Sequence, residues 1–595
     1  MENILLVEPA YKNKYPPIGL MKISTFHKEY KKDYVKFVKG IEDFEDKKWD
    51  RIYITTLFTF DFDVVVKTIN HYKNYVVNPQ SDIIVGGILS SLLPEKIEKA
   101  TGIKPFTGQV TCASMIGYPE YKNINVDIQP LDYDILSEIE YQYPVGNSYI
   151  GYTSRGCPNK CKFCAVPTLE PEFNTTNNIT RQIKAINEKY GEKRNLMLMD
   201  NNILYSPYLK DITEELKDLG FKRGEKTFKK PNYSKEVLKR IKRREAISKL
   251  AYRKDIEKDI ILLIDEIKKI KVKKDIEKTL EEFKQNIILE ETLGSKLKFI
   301  KQNIALLDHF YEKEKRQNKL VRYVDFNQGT DARLLTEEKM SYLSQIDIRP
   351  YRIAFDDIKL KNIYLKAMKI AASFGIKHFS NYILFNYQDT PKEFWDRLKL
   401  NIDLAEEIGA KDLFSFPMKY APIENTDRKF IGKSWDKKTI SSIYAILNAK
   451  KGIVPRNKNY FKNAFGETKE EFLKILSYPR DFIIYRNYFR DLGFTKKWEE
   501  LFLTLTTEEK KILRRFQCGE KILTENLILI ELFNLEKVSK NRMDKLNKHL
   551  IKKNIKVSEN ELYKLSLGLS KFKMCGMKNI EEYVNEKYSK QIRLG

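Results

Sequence analysis

Short apolar runs alternate with helical stretches twice along this chain, and that alternation confines it to parallel-sheet architectures. In the first series the strand candidates are residues 4–7, 34–38, 51–56 and 82–85, with helical stretches between them, as around 64–72. An α/β domain built on a parallel sheet is expected over residues 1–145. Gly86-Gly87 follows the fourth run directly. Glycines there permit a tight turn into a helix or the close approach of a ligand, and the turn is the simpler reading.

A second series begins near residue 147. Its strand candidates are residues 148–153, 195–199, 321–326, 352–355, 380–385 and 413–416, with helical segments at 180–189, 361–374 and 392–408. Such a series predicts a partial (β/α)6 barrel over residues 146–425. Barrel chemistry sits where the carboxyl ends of the strands meet the following loops. The polar clusters fall at those ends: the cysteines, Asp200-Asn201-Asn202, Asn327-Gln328-Gly329, Asp356-Asp357 and Asn386.

One interval is too long for a loop. Residues 221–320 hold no convincing strand, and no proline occurs between Pro231 and Pro350. Ser234 before Val237, Leu238 and Ile241 is a capped helix start, and Ile261, Ile264, Ile267 and Ile270 form a helical stripe, as do Leu280, Phe283 and Ile287. A helical insertion within the barrel is expected there. Residues 426–595 read as a mostly helical domain with Phe461, Phe465, Phe472, Tyr485 and Tyr488 in its core. Met1 leads through Glu2 into a strand-like run, which is no leader pattern, and no apolar run approaches the roughly 18 residues needed to span a bilayer. A soluble, cytoplasmic protein is expected.

Six cysteines among 595 residues are too few and too uneven for a disulfide framework. Three of them, Cys157, Cys161 and Cys164, fall in the run Gly156-Cys157-Pro158-Asn159-Lys160-Cys161-Lys162-Phe163-Cys164. Three thiolates on one tight loop can hold three irons of a four-iron cluster and leave the fourth iron open to chelate a small molecule. The other reading is zinc with a remote fourth ligand. No further His or Cys stands near to complete it; His27, His71, His309, His378 and His549 are dispersed.

C-x3-C-x2-C with an aromatic residue before the last cysteine, placed after the first strand of a βα series, resembles the signature of radical SAM enzymes. The resemblance covers residues 147–220 and 321–425. It implies a [4Fe-4S] cluster on Cys157, Cys161 and Cys164, with S-adenosylmethionine (SAM) bound at the open iron and cleaved reductively to a 5′-deoxyadenosyl radical. It also implies a one-electron reductant of flavodoxin or ferredoxin type. By position, Phe163 lies near the adenine. Asp200, Asn201 and Asn202 stand where the family holds the methionine amino group, often with Gly-Gly-Glu. Asn327, Gln328, Asp331 and Arg333 reach SAM or substrate, Asp356 accepts from the ribose hydroxyls, and Ile383 and Leu384 pack the adenine. Asp331 and Arg333 also read as a local ion pair, and Asp356-Asp357 as a helix cap. Asn-Gln-Gly is harder to explain structurally, because buried amides are costly unless paired.

The first 145 residues resemble the flavodoxin-like, cobalamin-binding-like domain that precedes many radical SAM barrels, through Pro16-Pro17-Ile18-Gly19-Leu20 and Val85-Gly86-Gly87. The Asp-x-His-x-x-Gly run that supplies an axial imidazole to cobalt is missing, so cobalamin is the less favoured reading beside a scaffold or substrate platform. Gly156 to Cys164 also looks similar to the methylthiotransferases. Those carry three further cysteines in front, where this chain has only Cys112, and Cys518 and Cys575 are too few for an auxiliary cluster.

Lys+Arg number 108 against 82 Asp+Glu, a net +26, and residues 221–320 supply about +12 of it. The densest stretch, residues 222–249, opens with Lys222, Arg223, Lys226 and Lys229 and ends at Lys249. Lys239, Arg240, Arg243 and Arg244 share a helical face, and Phe228 and Tyr233 stand close enough to stack on bases. The face fits nucleic acid or is merely solvated. The leading reading is therefore a radical SAM enzyme of unidentified substrate, and the competing one a non-catalytic iron–sulfur protein that binds nucleic acid.

Overall fold

The computed structural model describes residues 1–45, 48–175, 179–229, 319–574 and 580–592, with scattered residues from 278 to 306. The chain forms two units. One comprises Met1–Ile353, Ala367–Ile376 and Pro422–Phe430; the other comprises Ala354–Lys366, Lys377–Ala421 and Ile431–Gly595.

The first unit opens with four parallel strands, β1 (Asn3–Glu8), β2 (Tyr34–Lys39), β3 (Arg51–Thr56) and β4 (Ile83–Gly87), in the order β2-β1-β3-β4. Alternate residues of a strand face opposite sides. Ile4, Leu6, Phe37 and Tyr53 pack with Leu20, Met21 and Phe26 of the helix Ile18–Phe26. Leu5, Val7, Ile52, Ile54 and Val85 pack with Val65, Ile69 and Tyr72 of the helix Phe62–Tyr72. Both faces are covered, so β1 reads as an unbroken apolar run. Each fully buried aliphatic side chain contributes about 1.5–3 kcal/mol. Gly86 and Gly87 belong to β4 and pair with Thr55 and Thr56. A Cβ on Gly87 would lie 2.3 Å from the Thr56 carbonyl oxygen, so this glycine serves the close approach of two strands.

Next come β5 (Ser148–Gly151), a ribbon of β6 (Ser154–Arg155) and β7 (Asn174–Thr175), the helix Ile179–Tyr190, and β8 (Asn195–Leu198). Residues 321–326 do not form one strand. After β9 (Lys226–Phe228), β10 (Leu320–Val321) pairs antiparallel with β9, whereas β11 (Val324–Phe326) runs parallel to β8. Arg322 causes the break: it is 4% exposed and turns its guanidinium to the Leu219 carbonyl and the Glu192 carboxylate. The sheet has the order β11-β8-β5, all parallel. The β9–β10 ribbon brackets the insertion. Residues 230–277, with the helical stripe at 261–270, Tyr233 and the basic run from Lys235 to Lys249, lie outside the described residues. Of the part described, Arg223 donates to the Phe374 and Gly375 carbonyls, and Phe228 is buried, which closes its ring to stacking on a base.

Thr330 bridges in parallel to Ile353 of β12 (Tyr351–Ala354), and the second unit begins at Ala354. Within that unit β13 (His378–Phe385) runs parallel to β14 (Asp412–Lys419), and the helix Pro391–Glu407 between them starts on a Thr390–Glu393 capping box. A short β15 (Val454–Pro455) adds antiparallel to β14. Helices from Lys437–Asn448 to Ile580–Ile592 follow. Their core gathers Phe461, Phe465, Phe472, Phe482, Phe489 and Trp498. Tyr485 is 40% exposed and Tyr488 lies at the margin, so these two are not core residues. No helix among the described residues is long and apolar enough to cross a membrane.

Candidate functional site

The cysteine loop leaves β6 through Gly156, whose φ of +77° suits glycine. A Cβ there would stand 2.0 Å from the Glu172 carbonyl oxygen. The Gly156 N–H donates to Glu170 Oε2 at 2.7 Å. Cys157, Cys161 and Cys164 are all partly exposed and outside any disulfide. The Cys164 N–H donates to the Cys161 carbonyl at 3.0 Å, which folds Lys162 and Phe163 into a tight turn. The Val166 N–H points to Cys164 Sγ at 3.5 Å, and an amide donor of this kind favours a thiolate. Phe163 is half-buried within the turn.

All three residues of the Asp-Asn-Asn run at the end of β8 turn toward this loop. Asp200, 3% exposed, accepts from the Thr153 and Ser154 amides at 3.0 and 2.5 Å and from both hydroxyls at 2.6 and 2.7 Å. Burial pushes its pKa above the ordinary carboxylate value, against hydrogen bonds from Thr153 and Ser154 that favour the ionised form. The Asn201 amide donates to Glu170 Oε2 at 2.5 Å. Asn202, 2% exposed, points its Nδ2 at Cys157 Sγ, 3.5 Å away. Its Oδ1 is buried with no hydrogen-bond partner among the described residues. Such an orphan acceptor demands an explanation.

The cluster after β11 divides. The Asn327 side-chain oxygen accepts from the Tyr15 hydroxyl at 2.6 Å. Gly329, with φ +84°, donates to the Phe326 carbonyl, so Asn-Gln-Gly is a β-turn with Gln328 exposed at its tip. That turn is the structural reason the sequence did not disclose. Asp331 accepts from Arg333 at 2.8 Å and from the Asn159 amide in the cysteine loop at 2.7 Å. Burial alone would raise the Asp331 pKa, but Arg333 and Asn159 outweigh it and hold the carboxyl below its ordinary value. The loop is thus fastened at its base by Asp200, at its entry by Glu170 and in its middle by Asp331.

The remaining candidates belong to the second unit. Asp356 is half-buried and its carbonyl accepts from Arg397 at 2.7 Å, while Asp357 caps the turn that follows. Ile383 is fully buried in that unit's apolar core, and the Leu384 carbonyl also accepts from Arg397. Arg397, wholly buried, further binds Asp389 at 2.5 Å. It ties the segment after β12 to the end of β13, and no local pattern points to it. Glu170 and Asn159 were also missed, because their partners lie far off in sequence or on the backbone.

The carboxyl end of the front sheet is filled by its own side chains. Glu8, fully buried, lies 2.8 Å from the Lys39 ammonium and accepts from the Tyr143 hydroxyl. The Lys39 ammonium lies 4.6–5.6 Å from the ring centres of Tyr11, Tyr141 and Tyr143. The two histidines of this region are engaged elsewhere. His27 binds Asp33 and Tyr53 at the amino edge of the sheet, and His71 binds the Glu42 carbonyl. These residues do not fit a corrinoid held by an axial imidazole of this domain.

Residues 152–251 match the model of the Radical SAM superfamily. That span takes in the cysteine loop, β8 and the Asp-Asn-Asn run. Among solved structures, the radical S-adenosylmethionine methyltransferase TsrM from Kitasatospora setae, with cobalamin and a [4Fe-4S] cluster bound, aligns at 11% identity over 70% of this chain and 75% of that one, with a TM-score of 0.39. No curated protein matches the chain.

Proposed function

We propose that this chain, which carries a radical SAM domain, holds a [4Fe-4S] cluster on Cys157, Cys161 and Cys164 and cleaves SAM reductively to modify a substrate. The observation that supports this most is the C-x3-C-x2-C loop itself, fastened by Asp200, Glu170 and Asp331 with its three sulfurs outside any disulfide. A cluster held by Cys157, Cys161 and Cys164 would supply reductive cleavage of bound SAM, using one electron from a flavodoxin- or ferredoxin-type donor, and through it hydrogen abstraction from the substrate.

The chain's own residues have distinct parts. Asn202 Oδ1, buried beside Cys157 and unpartnered, is an acceptor for the SAM ammonium. Asp200 serves the loop rather than the ligand, because its oxygens are already taken by Thr153 and Ser154. Phe163 supplies an apolar face next to Cys164. Arg333 places a cation against Asp331, the carboxylate that fastens the middle of the loop through Asn159. Asn327 and Tyr15 form a hydrogen-bonded pair at the end of β11, placed to meet substrate. Thiolate ligands require a reducing compartment, which supports the cytoplasm.

The test is anaerobic reconstitution with iron and sulfide, then reduction with SAM present. 5′-Deoxyadenosine and methionine are expected in equal amounts. A well-incorporated cluster that yields no 5′-deoxyadenosine would overturn the catalytic reading and favour the non-catalytic one.

A further inference from the structure

A file of alternating charges runs from the first helix of the front region to the cysteine loop. Lys22, 6% exposed on the helix Ile18–Phe26, places its ammonium 2.8 Å from Asp127 Oδ1. The same oxygen accepts from Arg155 at 2.7 Å. The other end of the Arg155 guanidinium donates to Glu170 Oε1 at 2.8 Å. Glu170 Oε2 then takes the Gly156 N–H and the Asn201 amide. Tyr152 lies under the file, with Arg155 3.7 Å and Lys22 5.4 Å from its ring centre.

The side chains of Lys22, Asp127, Arg155 and Glu170 are only 7%, 14%, 12% and 14% exposed, so solvent does little to screen them. In such a setting each charge depends on its neighbours, and removing one leaves another buried and unpaired. Arg155 has a planar fork that transmits orientation: Asp127 fixes one end and Tyr152 its face, so the far end can meet Glu170 in one way only. Glu170 in turn fixes the amide of Gly156, and Cys157 is the next residue. Groups that orient metal ligands from behind typically change affinity or activity by about 10–100-fold when removed.

We propose that Lys22 and Asp127 are positioning residues for the cysteine loop, acting through Arg155 and Glu170 to set where Cys157 stands. This rests on the radical SAM reading. The assignment is asymmetric. Asp127 has two cationic partners, whereas Lys22 reaches the file's far end only through Asp127, so losing Asp127 costs more than losing Lys22.

The experiment compares wild type, Asp127→Asn, Asp127→Glu and Lys22→Met as full-length protein. In the reconstituted form, Asp127→Asn is expected to lower the SAM-cleavage rate constant about tenfold with KM for SAM within about threefold, and to shift the electron paramagnetic resonance line shape of the reduced cluster. Asp127→Glu restores most of both, and Lys22→Met costs about twofold. In the metal-free form, timed alkylation read by peptide mass spectrometry is expected to show Cys157 changed several-fold in Asp127→Asn while Cys164 keeps its rate. If wild type cleaves SAM and a fully loaded Asp127→Asn matches it in rate and line shape, the positioning role is overturned. Equal alkylation at Cys157 in wild type and variant overturns it too, even where no protein cleaves SAM. An Asp127→Asn chain that only unfolds at lower temperature, with Cys157 unchanged when folded, shows the file to be structural alone. Absence of SAM cleavage by wild type with its cluster in place defeats the proposed function and leaves the alkylation comparison to decide the inference.

Discussion

Two strand ends in the first unit carry dense polar clusters, and they are completed differently. At the carboxyl end of the front sheet Glu8, Lys39 and three tyrosines answer one another's charges and hydroxyls. At the ends of β5 and β8 the polar groups converge on the cysteine loop and leave over a buried acceptor, Asn202 Oδ1, on the side chain that meets Cys157. In the first cluster the buried charges are paired, Lys39 with Glu8, although the Lys39 ammonium lacks a well-aligned hydrogen bond; in the second a neutral acceptor has neither. Polar density at the carboxyl end of a parallel sheet is therefore a weak sign of chemistry by itself. The informative sign is an acceptor that the protein leaves unused.

Cys161→Ala is expected to abolish both cluster incorporation and SAM cleavage, measured by iron content and 5′-deoxyadenosine. A folded variant that still cleaves SAM would end the ligand assignment. Asp200→Ala comes next. It removes the acceptor of two amides and two hydroxyls, and should cost about 3–4 kcal/mol of stability, seen as a lower Tm together with poor cluster retention. Retained cluster at unchanged Tm would show that the base of the loop needs no fastening.

A pH experiment sharpens the closed side. Burial lowers the His27 pKa from 6.5 to about 4, outweighing the opposing pull of Asp33. As pH falls below 6.5 the unfolded chain takes up a proton that the folded chain refuses until about pH 4. Stability from this group is thus whole above pH 6.5, is lost down to pH 4, by about 3 kcal/mol, and is level below that. His27→Gln lacks this loss, so the Tm gap between wild type and variant should narrow from pH 7 to pH 4; a constant gap contradicts a neutral, buried ring. The smallest effect belongs to Tyr143→Phe, expected to cost about 1 kcal/mol and to leave SAM cleavage within about twofold. A large loss of cleavage there would mean that the front cluster takes part in the reaction after all.

Much of the architecture was legible in the sequence because it follows from local pattern. The four front strands lie within a residue or two of their apolar runs, and the helix expected at 392–408 runs from Pro391 to Glu407. The run at 321–326 misled because its apolar residues surround Arg322, whose buried partners at Leu219 and Glu192 cannot be read locally. The site divides in the same way. Cysteine spacing announces the loop. Glu170, Asn159, Asp127 and Arg397 announce nothing, since they act on backbone groups or on residues as distant as Asp331 is from Asn159, 172 positions away. Phe228 and Tyr485 show the limit of reading an aromatic residue by type, since burial fell opposite to expectation at each.

The hinge of the loop has a consequence for how this protein tolerates change. At position 156 the space beyond the α-carbon belongs to the Glu172 carbonyl, and the backbone angle there is one that side chains resist. A single added methyl group, bearing no donor atom and no charge, would deny Cys157 its place as surely as the loss of a sulfur. The mutational fragility of the site therefore extends to a position that offers a metal nothing: the loop turns only because residue 156 carries a hydrogen where a methyl would collide.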